Sequence, residues 1–184
     1  MTEQPPSEHA PDDAALIARW RDGDERAATA LVARHAQGIA RFVASLGERE
    51  EVEEVVQDAF VRAFGSLDSF RGESTFRTWL LTIARNLVRD RQRARKRSRV
   101  HVEIQDDDVA TASDALEDAV AAESGERLRR AVARLSPLQR SVFTLRVTEG
   151  MSYKEIAMAV GSTEGAARVH YHNAMRAIRE TIDE

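Results

Sequence analysis

The sequence predicts an all-α protein: two small helical domains joined by a flexible acidic linker, the C-terminal one a helix-turn-helix domain. Three observations carry this. Apolar residues recur at i, i+3, i+4 and i+7 along most of the chain; Ala, Arg, Glu and Leu abound, while 184 residues hold only 9 Gly and 4 Pro; and charge comes in blocks. Residues 1–70 carry 7 positive and 14 negative charges, 71–99 carry 10 and 2, 100–126 carry 0 and 9, and 127–184 carry 10 and 6. The net charge of −4 argues against a nucleic-acid partner only until its layout of −7, +8, −9 and +4 is seen, because basic blocks of this kind mark interaction surfaces. These shifts divide the chain into a disordered N-terminus (1–12), a first domain (13–99), an acidic linker (100–126) and a second domain (127–184).

Asp13 and Asp24 are candidate N-caps for two helices, one holding Leu16, Ile17 and Trp20, the other Ala27, Ala28, Leu31 and Val32 and running to about Leu46. From Glu51, Val52, Val55, Val56, Ala59, Phe60, Ala63 and Phe64 form one stripe, and Glu53, Glu54, Gln57, Asp58 and Arg62 the opposite face. Ser74 or Thr75 can cap a fourth helix with Phe76, Trp79, Leu80, Ile83 and Leu87 inward, ending in a basic run from Arg85 to Arg99. The segment 100–126 lacks Lys and Arg, contains Asp106-Asp107-Asp108, and reads as linker, turning helical from about Asp114. Ser136-Pro137-Leu138-Gln139 and Ser152-Tyr153-Lys154-Glu155 are helix starts of the capping-box kind. The helix after Ser152 stops at Gly161, and another from about Thr163 places Ala167, Tyr171, Ala174 and Ile178 on one face. Spacing alone leaves a plain helical hairpin open, but Arg168, His170, His172, Asn173, Arg176 and Arg179 on the second helix favour a helix-turn-helix.

The absence of cysteine excludes disulfides, zinc fingers of cysteine and thiol catalysis. The first residues lack the basic start and apolar run of a signal peptide, which places the protein in the cytoplasm. No phosphate loop, H-E-x-x-H or G-x-S-x-G occurs, so no enzyme activity and no cofactor are expected. His170 and His172 stand two apart on a helix, point in different directions and make no metal pair.

Val55-Val56-Gln57-Asp58-Ala59-Phe60, then Leu67-Asp68-Ser69-Phe70-Arg71-Gly72-Glu73-Ser74-Thr75-Phe76-Arg77-Thr78-Trp79-Leu80 and Ile83-Ala84-Arg85-Asn86, closely resemble domain two of bacterial extracytoplasmic-function (ECF) sigma factors. Leu135-Ser136-Pro137-Leu138-Gln139-Arg140, then Gly150-Met151-Ser152-Tyr153-Lys154-Glu155-Ile156-Ala157 and Glu164-Gly165, resemble domain four of the same family. No further domain is expected after Glu184.

The resemblance implies a dissociable RNA polymerase subunit that directs the core enzyme to promoters. Its partners would be the polymerase, at the coiled coil of the largest subunit and the flap, promoter DNA, and an anti-sigma factor. Gln57, Asp58 and Arg62 would face the coiled coil. Phe70, Ser74, Trp79, Arg85, Asn86 and Arg89 would meet the melted −10 strand, with Asn86 at the position that contacts it. Core packing is the alternative role for Phe70 and Trp79, and it is the favoured one for Trp79, which falls on the apolar stripe of its helix. The arginines after Asn86 would track phosphates, with the acidic linker competing for them. In the second domain the −35 contacts map onto Arg146, Thr163, Ala166, Arg168, Val169, His172 and Asn173. The family commonly has Thr at Ala166, Ser at Val169, and Arg at Asn173 and Met175, which implies a different −35 preference here. Arg168 could read guanine, Asn173 adenine, and Ala166 and Val169 thymine methyls. The competing class is a stand-alone helix-turn-helix regulator that binds duplex DNA without polymerase, for which the run Leu67 to Asn86 would have no use.

Overall fold

The computed structural model describes residues 11–48, 50–99 and 119–183. The first ten residues and most of the acidic segment, with Asp106, Asp107 and Asp108, fall outside these, and with them the expected disordered start, the flexible linker and its competition for the arginines. Among the described residues every regular element is helical.

Helix α1 (Asp13–Arg21) is capped by Asp12 rather than Asp13. Asp12 has the extended backbone an N-cap needs, and its carboxylate accepts from the Ala15 N–H at 2.8 Å. Asp13 instead reaches α2 (Glu25–Ser45), where it holds Arg34 at 2.6 Å and His35 at 2.9 Å. Asp24 caps α2 as expected. Helix α3 (Val52–Gly65) buries Val55, Ala59, Phe60 and Ala63, and a short 3-10 turn (Leu67–Ser69) leads to α4 (Phe76–Arg99). Of the two possible caps for α4, Thr75 serves, its hydroxyl accepting from the Thr78 N–H at 3.2 Å.

In the second domain, α5 (Ala119–Ala133) begins before residue 127, so the charge boundary falls within a helix: charge and backbone conformation change independently. Both expected capping boxes form, opening α6 (Pro137–Val147) and α7 (Tyr153–Val160). Gly161 closes α7 in the left-handed conformation at φ 64°, and Thr163 caps α8 (Glu164–Asp183), accepting from the Ala166 N–H at 3.2 Å. Ala167, Ala174 and Ile178 are buried on one face of α8 with Tyr171 half-buried beside them.

The two domains pack on one another, α2 against α6 and α4 against α7. One apolar core runs through Leu31, Ile39, Phe42, Val55, Leu80 and Ala84 of the first domain into Val142, Leu145, Met151 and Ile156 of the second. A smaller cluster of Ala131, Leu135, Ala174 and Ile178 holds α5 to α8. Gly38, in the middle of α2, costs about 1 kcal/mol relative to alanine. Its lack of a side chain is used, because an added Cβ would stand 3.0 Å from a carboxylate oxygen of Glu149 in the other domain.

His35 gives a pH dependence. It is buried beside Phe76, and desolvation outweighs the Asp13 carboxylate to push its imidazole below the ordinary 6.5. The folded state therefore binds this proton less readily than the unfolded one, and stability present above pH 6.5 falls as the pH drops through the lowered folded value. Urea unfolding between pH 7 and 5 should show this loss, and His35→Gln should flatten it; an unchanged acid limb would remove His35 as its source.

Candidate nucleic-acid interface

Gln57, Asp58 and Arg62 are all exposed on α3, away from the buried stripe. The same face carries Val61, 71% exposed, which sequence reasoning did not single out although it falls outside the apolar stripe and within the polar set. Asp58 also accepts from Arg91 of α4 at 2.9 Å, and Arg91 reaches Glu51 at 2.6 Å and Glu54 at 3.4 Å. This network fixes the outer face of α3 to α4.

The arginines of α4 thus divide by role. Arg91 serves α3, and Arg95 serves the buried Glu48, making contacts of 3.0–3.2 Å with a carboxylate only 1% exposed, and a further one to Glu51 at 3.0 Å. The reading of the whole run as a phosphate track is corrected at these two positions: their guanidinium groups neutralise carboxylates from another part of the fold, which sequence spacing does not reveal. Arg89, Arg93, Lys96 and Arg97 are exposed.

Phe70 and Trp79 are both half-buried. Phe70 meets Trp79 with ring centroids 5.2 Å apart and Phe76 edge-on at 5.9 Å, and Phe76 in turn meets Trp79 at 5.9 Å. The three rings form a platform whose base is core and whose rim faces outward. Asn86 stands seven residues after Trp79, hence on the same helix face and about 10 Å along it, and is exposed. Ser74 is half-buried in the loop before α4, its hydroxyl donating to the Thr75 carbonyl at 3.2 Å. Arg85 donates to the Asn86 side-chain oxygen at 3.2 Å, but the rest of its guanidinium lies under the second domain. There Nε and Nη1 are buried with no hydrogen-bond partner, against Gly161, whose absent Cβ would stand 2.8 Å from the guanidinium carbon. Burial and the neighbouring Arg89 charge push this guanidinium below its ordinary value.

In the second domain Tyr153 organises what the sequence left as separate residues. Arg146 and Arg168 each stack over its ring, at 4.8 and 4.7 Å from the centroid. Arg146 is anchored by a 2.7 Å bond to the Met151 carbonyl, and Arg168 by a 2.6 Å ion pair with Glu164. Nothing in the spacing of 146, 153 and 168 signals this arrangement, since three different elements supply it. Arg168, Val169 and His172 line the outward face of α8, with Val169 57% exposed, while Ala166 and Asn173 are half-buried at its margins. Thr163 is exposed and spends its hydroxyl oxygen on the helix cap.

A basic, exposed second helix after a tight glycine turn has the shape and chemistry of a major-groove reader. An aromatic platform followed by an exposed Asn and arginines suits single-stranded bases and their phosphates. Both parts of the chain match known proteins. A family model described as sigma-70 region 2 matches residues 31–98, and one described as sigma-70, region 4 matches residues 125–178. The ECF RNA polymerase sigma-E factor of Escherichia coli (strain K12) is 33% identical over 179 residues, covering 92% of this chain and 94% of that one. The protein of the same name from Haemophilus influenzae is 30% identical over 179 residues, covering 92% and 95%. Among solved structures, CnrH in complex with the cytosolic domain of CnrY matches with a TM-score of 0.64 and 30% identity, covering 93% of this chain and 97% of that one. The sigma factor RpoE of Bartonella quintana, solved with the anti-sigma factor NepR, shares the fold at a TM-score of 0.66 and 24% identity, covering 84% and 96%.

Proposed function

The chain belongs to the ECF RNA polymerase sigma factors, and on that premise we propose how it directs core polymerase to its promoters. Helix α3 docks on the largest-subunit coiled coil through Gln57, Asp58 and Arg62, with Val61 as the apolar centre of the patch. The Phe70–Trp79 platform, Ser74, Asn86 and the arginines at 85 and 89 receive the melted −10 strand. Unstacking a base costs a few kcal/mol, which stacking on an aromatic rim at about 1–3 kcal/mol per base can offset. The outward face of α8 reads the −35 duplex, Arg168 held ready by Tyr153 and Glu164. In this reading the protein performs no chemistry of its own, works in the cytoplasm, and needs no cofactor; no described helix is long and apolar enough to cross a membrane. CnrH was solved bound to a second protein, which supports control by a protein partner here, taken to be an anti-sigma factor.

The observation that carries the proposal is the pairing, in one chain, of a strand-receiving platform on α4 with a duplex-reading α8. Run-off transcription with core polymerase over a promoter library tests it. Initiation from a defined set of promoters is expected; duplex binding by the free protein with no association with core would favour a stand-alone regulator.

The same library tests the reader. Val169→Ser with Asn173→Arg restores the residues common in the family and exchanges an apolar contact and an amide for a hydroxyl and a guanidinium. A bidentate pair is worth about 1–3 kcal/mol of base discrimination, so the preferred −35 bases should change by roughly tenfold in relative use. Identical −35 preference in the two proteins would remove these side chains from the readout.

A further inference from the structure

Helix α8 sets one acid among its cations. From Glu164 to Arg179 it holds three arginines and a single carboxylate. At about 100° per residue, Glu164, Arg168, His172, Arg176 and Arg179 fall within about a third of the helix circumference, along about 22 Å of its length. All five are exposed, on the face assigned above to the −35 duplex. The carboxylate is not the helix cap, because Thr163 already accepts from the Ala166 N–H at 3.2 Å. It bonds Arg168 instead, at 2.6 Å, the two side chains being 47% and 60% exposed. The Arg168 guanidinium also lies 4.7 Å from the centre of the Tyr153 ring, and Tyr171 braces that ring edge-on at 5.9 Å. The other acid near the strip, Glu180, stands 4.0 Å from Arg176. Of the arginines on this face, Arg168 is thus the one closely held by a carboxylate, and it is also the one suited to read a base.

We propose that Glu164 is a specificity-determining residue: it occupies Arg168 so that this arginine is withheld from phosphates at any sequence and turns only to a base edge that offers two acceptors. The inference rests on the −35 reading of Arg168 above and adds what keeps that arginine from gripping every duplex. A carboxylate on a surface that meets DNA lowers affinity, because it repels phosphates and cancels a cation that could otherwise displace counterions. Its return is discrimination. Guanine presents two acceptors and no net charge, so Arg168 can engage it with Glu164 still alongside. A phosphate also presents acceptors, but it brings a full negative charge up against the carboxylate. An exposed i, i+4 ion pair is weak, so opening it costs little where a bidentate base contact takes its place. The exchange therefore favours the right base and penalises the wrong one. Tyr153 holds the guanidinium by a contact that needs no anion, so Arg168 stays on the reading face while it is withheld.

The test is equilibrium binding of the full-length chain, over a range of salt, to two labelled duplexes: the −35 sequence recovered by run-off and a scrambled sequence of the same composition. Glu164→Gln keeps the size of the side chain and removes its charge. It should raise affinity for the scrambled duplex about fivefold and steepen its salt dependence by about one counterion, as one added phosphate contact requires, while affinity for the −35 duplex rises by no more than about twofold. In an Arg168→Gln background the same substitution should raise both duplexes alike, since no arginine remains to be released. Thermal unfolding of each variant shows that the fold is kept. Equal gains on both duplexes with Arg168 present reduce Glu164 to a repelling charge and overturn the proposal. A loss on the −35 duplex alone makes Glu164 itself a base contact and also overturns it. An unaltered chain that binds the two duplexes equally strikes instead at the −35 reading, and the role of Glu164 falls with it.

Discussion

Replacing Arg95 with alanine should lower the stability of the first domain by about 2–3 kcal/mol, toward the low end for a broken buried ion pair because the arginine is itself partly exposed. The Glu48 carboxylate is 1% exposed and takes contacts of 3.0–3.2 Å from Arg95. Without them a buried carboxylate is left unpaired, which is costly. Thermal unfolding should shift down by roughly 5–10 °C for a protein of this size. Arg97→Ala, at an exposed position two residues before the end of α4, is the control, with an expected effect within about 0.5 kcal/mol. The comparison separates two roles for the basic run. A phosphate-tracking Arg95 would leave stability unchanged and reduce the salt dependence of strand binding; equal unfolding midpoints for the two variants would restore that reading.

Changing Val61 to Asp should weaken binding to core polymerase about 30-fold, or about 2 kcal/mol, the scale of a buried apolar anchor replaced by a desolvated charge. Val61 is 71% exposed in the middle of α3, so the substitution touches little within the chain and the fold should hold to within about 0.5 kcal/mol. Run-off signal should fall with core affinity and recover when polymerase is raised, while binding of the free protein to a −35 duplex stays as it was. Unaltered affinity for core would move the docking patch away from this face of α3. Asp58 is a less clean probe because it also holds Arg91 at 2.9 Å, so its loss would loosen α3 from α4 as well as change the patch.

Much of this protein was legible residue by residue. The helices follow from 3.6-residue apolar periodicity, and both capping boxes and the glycine stop of α7 follow from backbone groups that need local partners. Such signals are short in range, so a linear string contains them whole. Where a local rule failed it failed by one residue, as when Asp12 and not Asp13 capped α1; the neighbouring carboxylate had partners on α2 that no local pattern announces. The polar faces of α3 and α8 were likewise visible, because a residue outside an apolar stripe must face outward. Tyr153 was not, since its two guanidinium neighbours come from residues 7 positions before and 15 after it, on other helices.

By itself, then, the sequence determined the helical class and the faces its helices present, because each depends on spacing within one element. Tertiary structure decided which cations are committed and which are available. Arg91 and Arg95 answer carboxylates 33 to 47 residues away, and Arg41 and Arg77 answer Glu149 across 108 and 72 residues. Charge counted along the chain assigns a surface its sign, but the partner of a particular guanidinium is fixed by packing, which brings groups together without regard to their separation in sequence. The same packing set the second domain on the first and placed Arg85 beneath Gly161.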